Sequence, residues 1–91
     1  MTERRHLLIK GRVQGVGFRW FTRETAARLS LGGWVRNRPE GSVEAEVEGE
    51  PDVVRRFIQE LKTGLPFAYV DSIEEYAVPS TGGKESFDIR H

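Results

Sequence analysis

An α+β sandwich, with two helices on one face of an antiparallel sheet, is the fold class this sequence predicts. Three observations predict it. Apolar residues recur at strand spacing in some segments and at helical spacing in others, and the two kinds interleave along the chain. The segment that alternates most cleanly has one polar face, so helices cover one side of the sheet only. The chain has 91 residues, room for a single domain over residues 1–91.

Residues 5–11 read as a strand, with Leu7 and Ile9 on one face and Leu8 on the other. Residues 19–30 read as a helix, because Phe18, Phe21, Thr25, Ala26 and Leu29 recur at helical spacing, and Gly32-Gly33 is expected to stop it. Residues 33–38 form a short strand, and Arg38-Pro39-Glu40-Gly41 is a hairpin turn. Residues 42–49 place Val43, Ala45 and Val47 on one face and Glu44, Glu46 and Glu48 on the other, which predicts a strand with a wet acidic face. Pro51 opens a second helix that runs to about Lys62, buried through Val54, Phe57, Ile58 and Leu61, and Gly64 and Pro66 end it. Residues 68–78 form a longer strand, Thr81-Gly82-Gly83-Lys84 a loop, and Phe87 and Ile89 mark a short last strand. The order β-α-β-β-α-β is the ferredoxin-like split layout, and right-handed crossovers leave few alternatives.

Composition removes several function classes. The chain contains no cysteine, which excludes disulfides, thiolate metal sites and cysteine nucleophiles. Leu7-Leu8-Ile9 is too short an apolar run for a signal peptide, and nothing approaches the ~18 apolar residues of a membrane span. A cytoplasmic protein with no membrane partner is expected. Residues 1–41 carry nine Lys/Arg and three Glu, a net of +6, while residues 42–91 carry five Lys/Arg and eleven Asp/Glu, a net of −6. The basic half therefore favours an anionic ligand, although an unevenly charged solvated surface accounts for the same numbers.

The chemistry concentrates in Gly11-Arg12-Val13-Gln14-Gly15-Val16-Gly17-Phe18-Arg19, between the first strand and the first helix. Its glycines let backbone N–H groups turn toward one point, and the helix adds the positive end of its dipole. The spacing is neither a Walker loop nor a dinucleotide fingerprint. A tight strand-to-helix turn has the same composition. Arg19 sharpens the anion reading, since its guanidinium forks two phosphate oxygens, whereas a cation at a helix N-terminus without an anion costs about 0.3–1 kcal/mol. Asn37 shares a strand face with Val35, toward the helices, where its amide would hold a water; a turn-forming Asn before Arg38-Pro39 is the plainer use.

These motifs resemble the acylphosphatase family: Gly11-x-Val13-Gln14-Gly15-Val16-x-Phe18-Arg19, then Gly33-Trp34-Val35-x-Asn37, then Gly41-x-Val43. The resemblance runs through nearly the whole chain, to Phe87-x-Ile89. It implies hydrolysis of carboxyl-phosphate anhydrides with neither metal nor cofactor, with a small acyl phosphate as substrate and inorganic phosphate as product and inhibitor. Carried over by motif, the segment Gln14, Gly15, Val16, Gly17, Phe18 and Arg19 binds the phosphate, chiefly through backbone N–H groups. Arg19 clamps it, Asn37 holds the attacking water, and Thr22 is an auxiliary beside the site. Two departures lie outside the motifs: Gly64-Leu65-Pro66 stands where Gly-Pro-Pro is usual, and Ser30 stands where a Gly is common.

Two rival classes follow from the same residues. A non-catalytic phosphate-binding regulatory module would use the same loop. An RNA-binding domain of this fold would need aromatics on the third strand, where this chain presents glutamates, so no nucleic-acid partner is expected. His6 and His91 are read as non-catalytic because neither is tied to the loop. No second segment is evident for the acyl group, so broad specificity is expected. A monomer is expected, although edge strands leave association open.

Overall fold

The computed structural model describes residues 2–82 and 86–91. The Gly83-Lys84 part of the expected loop lies outside them. The element order is β1 (Glu3–Arg12), α1 (Phe18–Arg28), β2 (Gly32–Asn37), β3 (Val43–Gly49), α2 (Pro51–Thr63), β4 (Tyr69–Val78) and β5 (Phe87–Ile89).

The sheet runs β4-β1-β3-β2-β5. The pairs β1–β3, β1–β4 and β2–β3 are antiparallel, so each β-α-β crossover spans one intervening strand, the split ferredoxin-like arrangement. The expected all-antiparallel sheet is extended by one exception: β5 pairs parallel to β2, with Gly33 opposite Phe87 and Val35 opposite Ile89. That pairing sets the last residues alongside the strand that ends at Asn37.

Alternation decides what is buried. Leu7 and Ile9 of β1, Val35 of β2, and Val43, Ala45 and Val47 of β3 face the helices and are sealed from solvent. Against them α1 packs Phe18 and Ala26, and α2 packs Val54, Phe57, Ile58 and Leu61. Burying each large apolar side chain contributes about 1.5–3 kcal/mol, so this layer is what fixes the sheet and helices to one another.

Three local expectations are corrected. The helix is not stopped by Gly32-Gly33, which lie in β2. It stops two residues earlier, where Ser30 takes a left-handed conformation at φ 59°. There Ser30 N donates to Ala27 O and Leu31 N donates to Ala26 O, the paired bonds of a Schellman cap with serine in the glycine position. Gly11 does not belong to the loop; it sits in β1 beside an irregularity against β4, and a Cβ there would meet Tyr69 O at 2.1 Å. The close approach of two strands, not the turn, requires that glycine.

The third correction concerns the acidic face. Glu44 and Glu48 are only 7% and 5% exposed, not solvated. Arg4 of β1 donates from Nε to Glu46 Oε1 at 2.7 Å and from Nη1 to Glu48 Oε1 at 2.9 Å. His6 lies between Glu44 and Glu46, at 2.8 and 2.9 Å, and Arg36 Nε donates to Glu44 at 2.7 Å. Burial raises the Glu44 and Glu46 carboxyls, but these cations and hydrogen bonds outweigh it and hold both below the usual carboxylate range. The face is a neutralised ion-pair lattice, not the bare acidic surface on which the expectation of no nucleic-acid partner rests. On this face Trp34 is covered by the Arg36 and Arg90 guanidinium groups at 5.5 and 4.8 Å.

Candidate active site

The loop from β1 to α1 owes its shape to Gly15 and Gly17, which hold φ at 77° and 80°. An added Cβ at either meets nothing within 4 Å, so conformation rather than space demands glycine. Gly17 is the N-cap of α1, with no side-chain cap and no acid in the first turn. The first bond into the helix runs from Phe21 N to Gly17 O at 3.0 Å. The N–H groups from Gly15 to Trp20 therefore have no acceptor among the described residues. Such amides, at the positive end of an 11-residue helix, form a ready anion cradle.

Side chains on both sides of the cradle hold it in place. Phe18 is sealed in the core and rests against the Phe21 ring. Val16 is half-buried against the same core. Gln14 Nε2 donates to Arg38 O at 2.7 Å and to Ser42 O at 2.8 Å, which ties the loop to the β2–β3 hairpin. Its side chain is thus a brace, and only its backbone remains for an anion. Thr22 is fully buried and returns its hydroxyl to Phe18 O at 2.8 Å, which stiffens the first turn. The hairpin is locked in turn by Glu40, which accepts from Ser42 Oγ at 2.6 Å and Arg38 Nε at 2.9 Å. Those bonds, Ser42 foremost, hold the Glu40 carboxyl down at about 2.

Arg19 and Asn37 come together in one cleft of about 750 Å³, whose floor and rim include Val13, Gly15, Gly17 and Phe18. Asn37 sits on the helix side of β2, opposite Val43, and its side chain has no hydrogen-bond partner among the described residues. Of the residues expected at the site, Gly15, Gly17, Phe18, Arg19 and Asn37 line this cleft, whereas Gln14, Val16 and Thr22 support it from behind.

The far wall of the cleft comes from the C-terminal segment, through Asp88, Ile89, Arg90 and His91. Arg19 Nη1 lies 3.3 Å from His91 Nδ1. The expectation that His91 is unconnected to the loop is therefore wrong. The parallel β2–β5 pairing, invisible in a linear reading, carries it there. Trp20 and Arg23 of α1 complete the rim and were also missed. Arg23 follows Arg19 by four residues, so helical spacing alone was enough to place it on the same face.

The fold is a small ferredoxin-like domain, and the comparisons with known proteins place it among the acyl phosphate hydrolases. A family model described as Acylphosphatase matches residues 5–89, and the chain belongs to the acylphosphatase family. It is 45% identical over 98% of its length to an acylphosphatase of Rubrobacter xylanophilus, covering 81% of that protein. It is 44% identical over 92% of its length to one from Clostridium beijerinckii, covering 93% of it. Among solved structures it is similar to the crystal structure of acylphosphatase from Bacillus subtilis, with a TM-score of 0.92, 37% identity, and all of both chains covered.

Proposed function

We propose that the protein hydrolyses the carboxyl–phosphate bond of acyl phosphates with Arg19 and the Gly15–Arg19 amides holding the phosphoryl group and Asn37 directing the water. The reaction class is that of the family; the assignment of roles is ours. The observation that carries it is the meeting of uncapped amides, a guanidinium and an unengaged amide side chain in one cleft.

The chemistry follows from where charge sits. Phosphoryl transfer spreads negative charge over three equatorial oxygens, and catalysis is mostly positioning and electrostatics. The free amides from Gly15 to Arg19, the helix dipole and one bidentate arginine meet that charge. The Asn37 carbonyl oxygen accepts a hydrogen from water, which aims a lone pair at phosphorus. As the new P–O bond forms, the P–O bond to the acyl group breaks and its electrons leave on a carboxylate. A carboxylic acid has a pKa of about 4, so this leaving group needs no proton and no general acid. The water's proton passes to a phosphoryl oxygen.

The proposal extends to a metal-free, cofactor-free reaction in a cytoplasmic monomer. Arg19 and the helix N-terminus supply the positive charge that the phosphoryl group needs. Among the described residues, no helix is long and apolar enough to cross a membrane. Benzoyl phosphate hydrolysis, with inorganic phosphate as a competitive inhibitor, tests the activity, and size-exclusion chromatography tests the monomer. Turnover is expected to survive excess chelator. Phosphate binding without turnover would overturn the catalytic reading, and loss of turnover on chelation would overturn the metal-free one.

A further inference from the structure

The cleft is larger and more basic than a phosphoryl group requires. Its described lining contains Arg19, Arg23, Arg90 and His91 against one carboxylate, Asp88. Most of that charge is engaged. Arg19 belongs to the cradle and touches His91. The Arg90 guanidinium stacks on Trp34 at 4.8 Å, on the opposite face of the sheet. Arg23 is different. Among the described residues its one ion pair is a long contact to its neighbour, 3.5 Å from Nε to Glu24 Oε2, with both side chains about half exposed. Arg23 stands one helical turn beyond Arg19, about 6 Å along the axis. Beside it Trp20 presents an indole that is 59% exposed.

We infer that Arg23 and Trp20 form an acyl-side subsite that selects acyl phosphates whose acyl chain carries a second anionic group, in the first instance a carboxylate. The inference rests on the phosphoryl assignment made above. The phosphoryl group seated on the cradle sends its acyl chain outward along α1, past Trp20, and one turn later meets Arg23. A short dicarboxylic acid spans that distance: the apolar spacer lies on the indole, and the terminal carboxylate accepts from the guanidinium. Such a subsite would make the enzyme charge-selective, where the sequence leads to an expectation of broad specificity.

Stable phosphonates test this without relying on labile dicarboxylic acyl phosphates. Inhibition of benzoyl phosphate hydrolysis is measured with 4-phosphonobutanoate and with butylphosphonate, which differ by the terminal carboxylate. A partly exposed ion pair contributes up to about fivefold in affinity, so the carboxylated inhibitor is expected to bind about two- to fivefold tighter at low salt. Raising the salt should shrink that ratio. Arg23→Gln should bring the ratio close to one, and Arg23→Lys should keep most of it. Equal inhibition constants in the unsubstituted protein, or a ratio unchanged in Arg23→Gln, would overturn the subsite. An Arg23→Lys variant as impaired as Arg23→Gln would overturn its charge basis. If benzoyl phosphate is not hydrolysed at all, the catalytic assignment fails instead, and the two failures are distinct.

Discussion

Ser30→Gly should stabilise the protein, and the size of the gain can be worked from the helix cap. Ser30 sits at φ 59° with its backbone N–H donating to Ala27 O at 3.1 Å, and Leu31 N donates to Ala26 O at 2.9 Å. Both bonds are backbone bonds, so glycine keeps them. The serine hydroxyl has no partner among the described residues, so nothing is lost with the side chain. An L-residue in the left-handed region costs about 1–2 kcal/mol, which glycine relieves. Glycine in turn loses about 0.5–1 kcal/mol through the greater freedom of the unfolded chain. The balance of the midpoints is a gain of about 0.75 kcal/mol, or roughly 3–6 °C in Tm for a domain of this size. Thermal melts and urea titrations of both proteins measure it. Benzoyl phosphate turnover should not change, because Ser30 caps the end of α1 remote from the cleft. Ser30→Val should move Tm the other way, since a β-branched residue tolerates positive φ worst. A Ser30→Gly protein that melts at or below the original temperature would refute the strain argument.

Other outcomes follow from the cleft and its supports. Asn37→Ala should lower kcat about 100–1000-fold while inorganic phosphate still inhibits, and Arg19→Ala should weaken both turnover and phosphate inhibition; normal turnover in Asn37→Ala would remove the water from its care. Gln14→Ala deletes two hydrogen bonds that tie the loop to the hairpin, so it should cost about 1–2 kcal/mol of stability in urea, with turnover falling by less than in Asn37→Ala. The Glu48 carboxyl is held down at about 2, first by Ser80 Oγ, then by the Thr81 amide and by Arg4. A depressed carboxyl contributes stability above its unfolded pKa that is lost as pH falls through the folded one, so stability should decline from about pH 4.5 toward pH 2. Glu48→Gln should flatten that decline in acid titrations followed by circular dichroism.

Much of the fold was legible because apolar periodicity reports burial directly. The alternation of Val43, Ala45 and Val47 and the helical stripe Val54, Phe57, Ile58 and Leu61 are the two core layers as observed. The cradle was legible because left-handed backbone is a property of Gly15 and Gly17 themselves. What escaped depends on neighbours. Gly11 counted as a loop residue until the approach of β4 showed why a Cβ is excluded there. Alternation correctly set Glu44, Glu46 and Glu48 on one face, but only the register with β1 and β2 shows Arg4, His6 and Arg36 closing over them. Ser30 hid the helix end because the rule looks for glycine, and the packing of Leu31 in the core holds serine in glycine's conformation. His91 reached the site through a parallel strand pair whose partners lie more than fifty residues apart in sequence.

That strand pair bears on how activity appears during folding. One wall of the cleft comes from residues 13–20 and the other from residues 87–91. Their contact closes almost the longest loop the chain allows, and such closures come late and slow the overall rate. A nascent or partly refolded chain with β1, α1, β2 and β3 in place already displays the amides of the cradle, yet it lacks the far wall and the neighbour of Arg19. The cradle and Asn37 thus belong to one contiguous stretch of chain, and the contact of His91 with Arg19 is the long-range closure added to it. In a refolding experiment, turnover that lags the helix signal would show that this closure serves Arg19, and turnover that tracks the helix signal would show that residues 15–37 suffice.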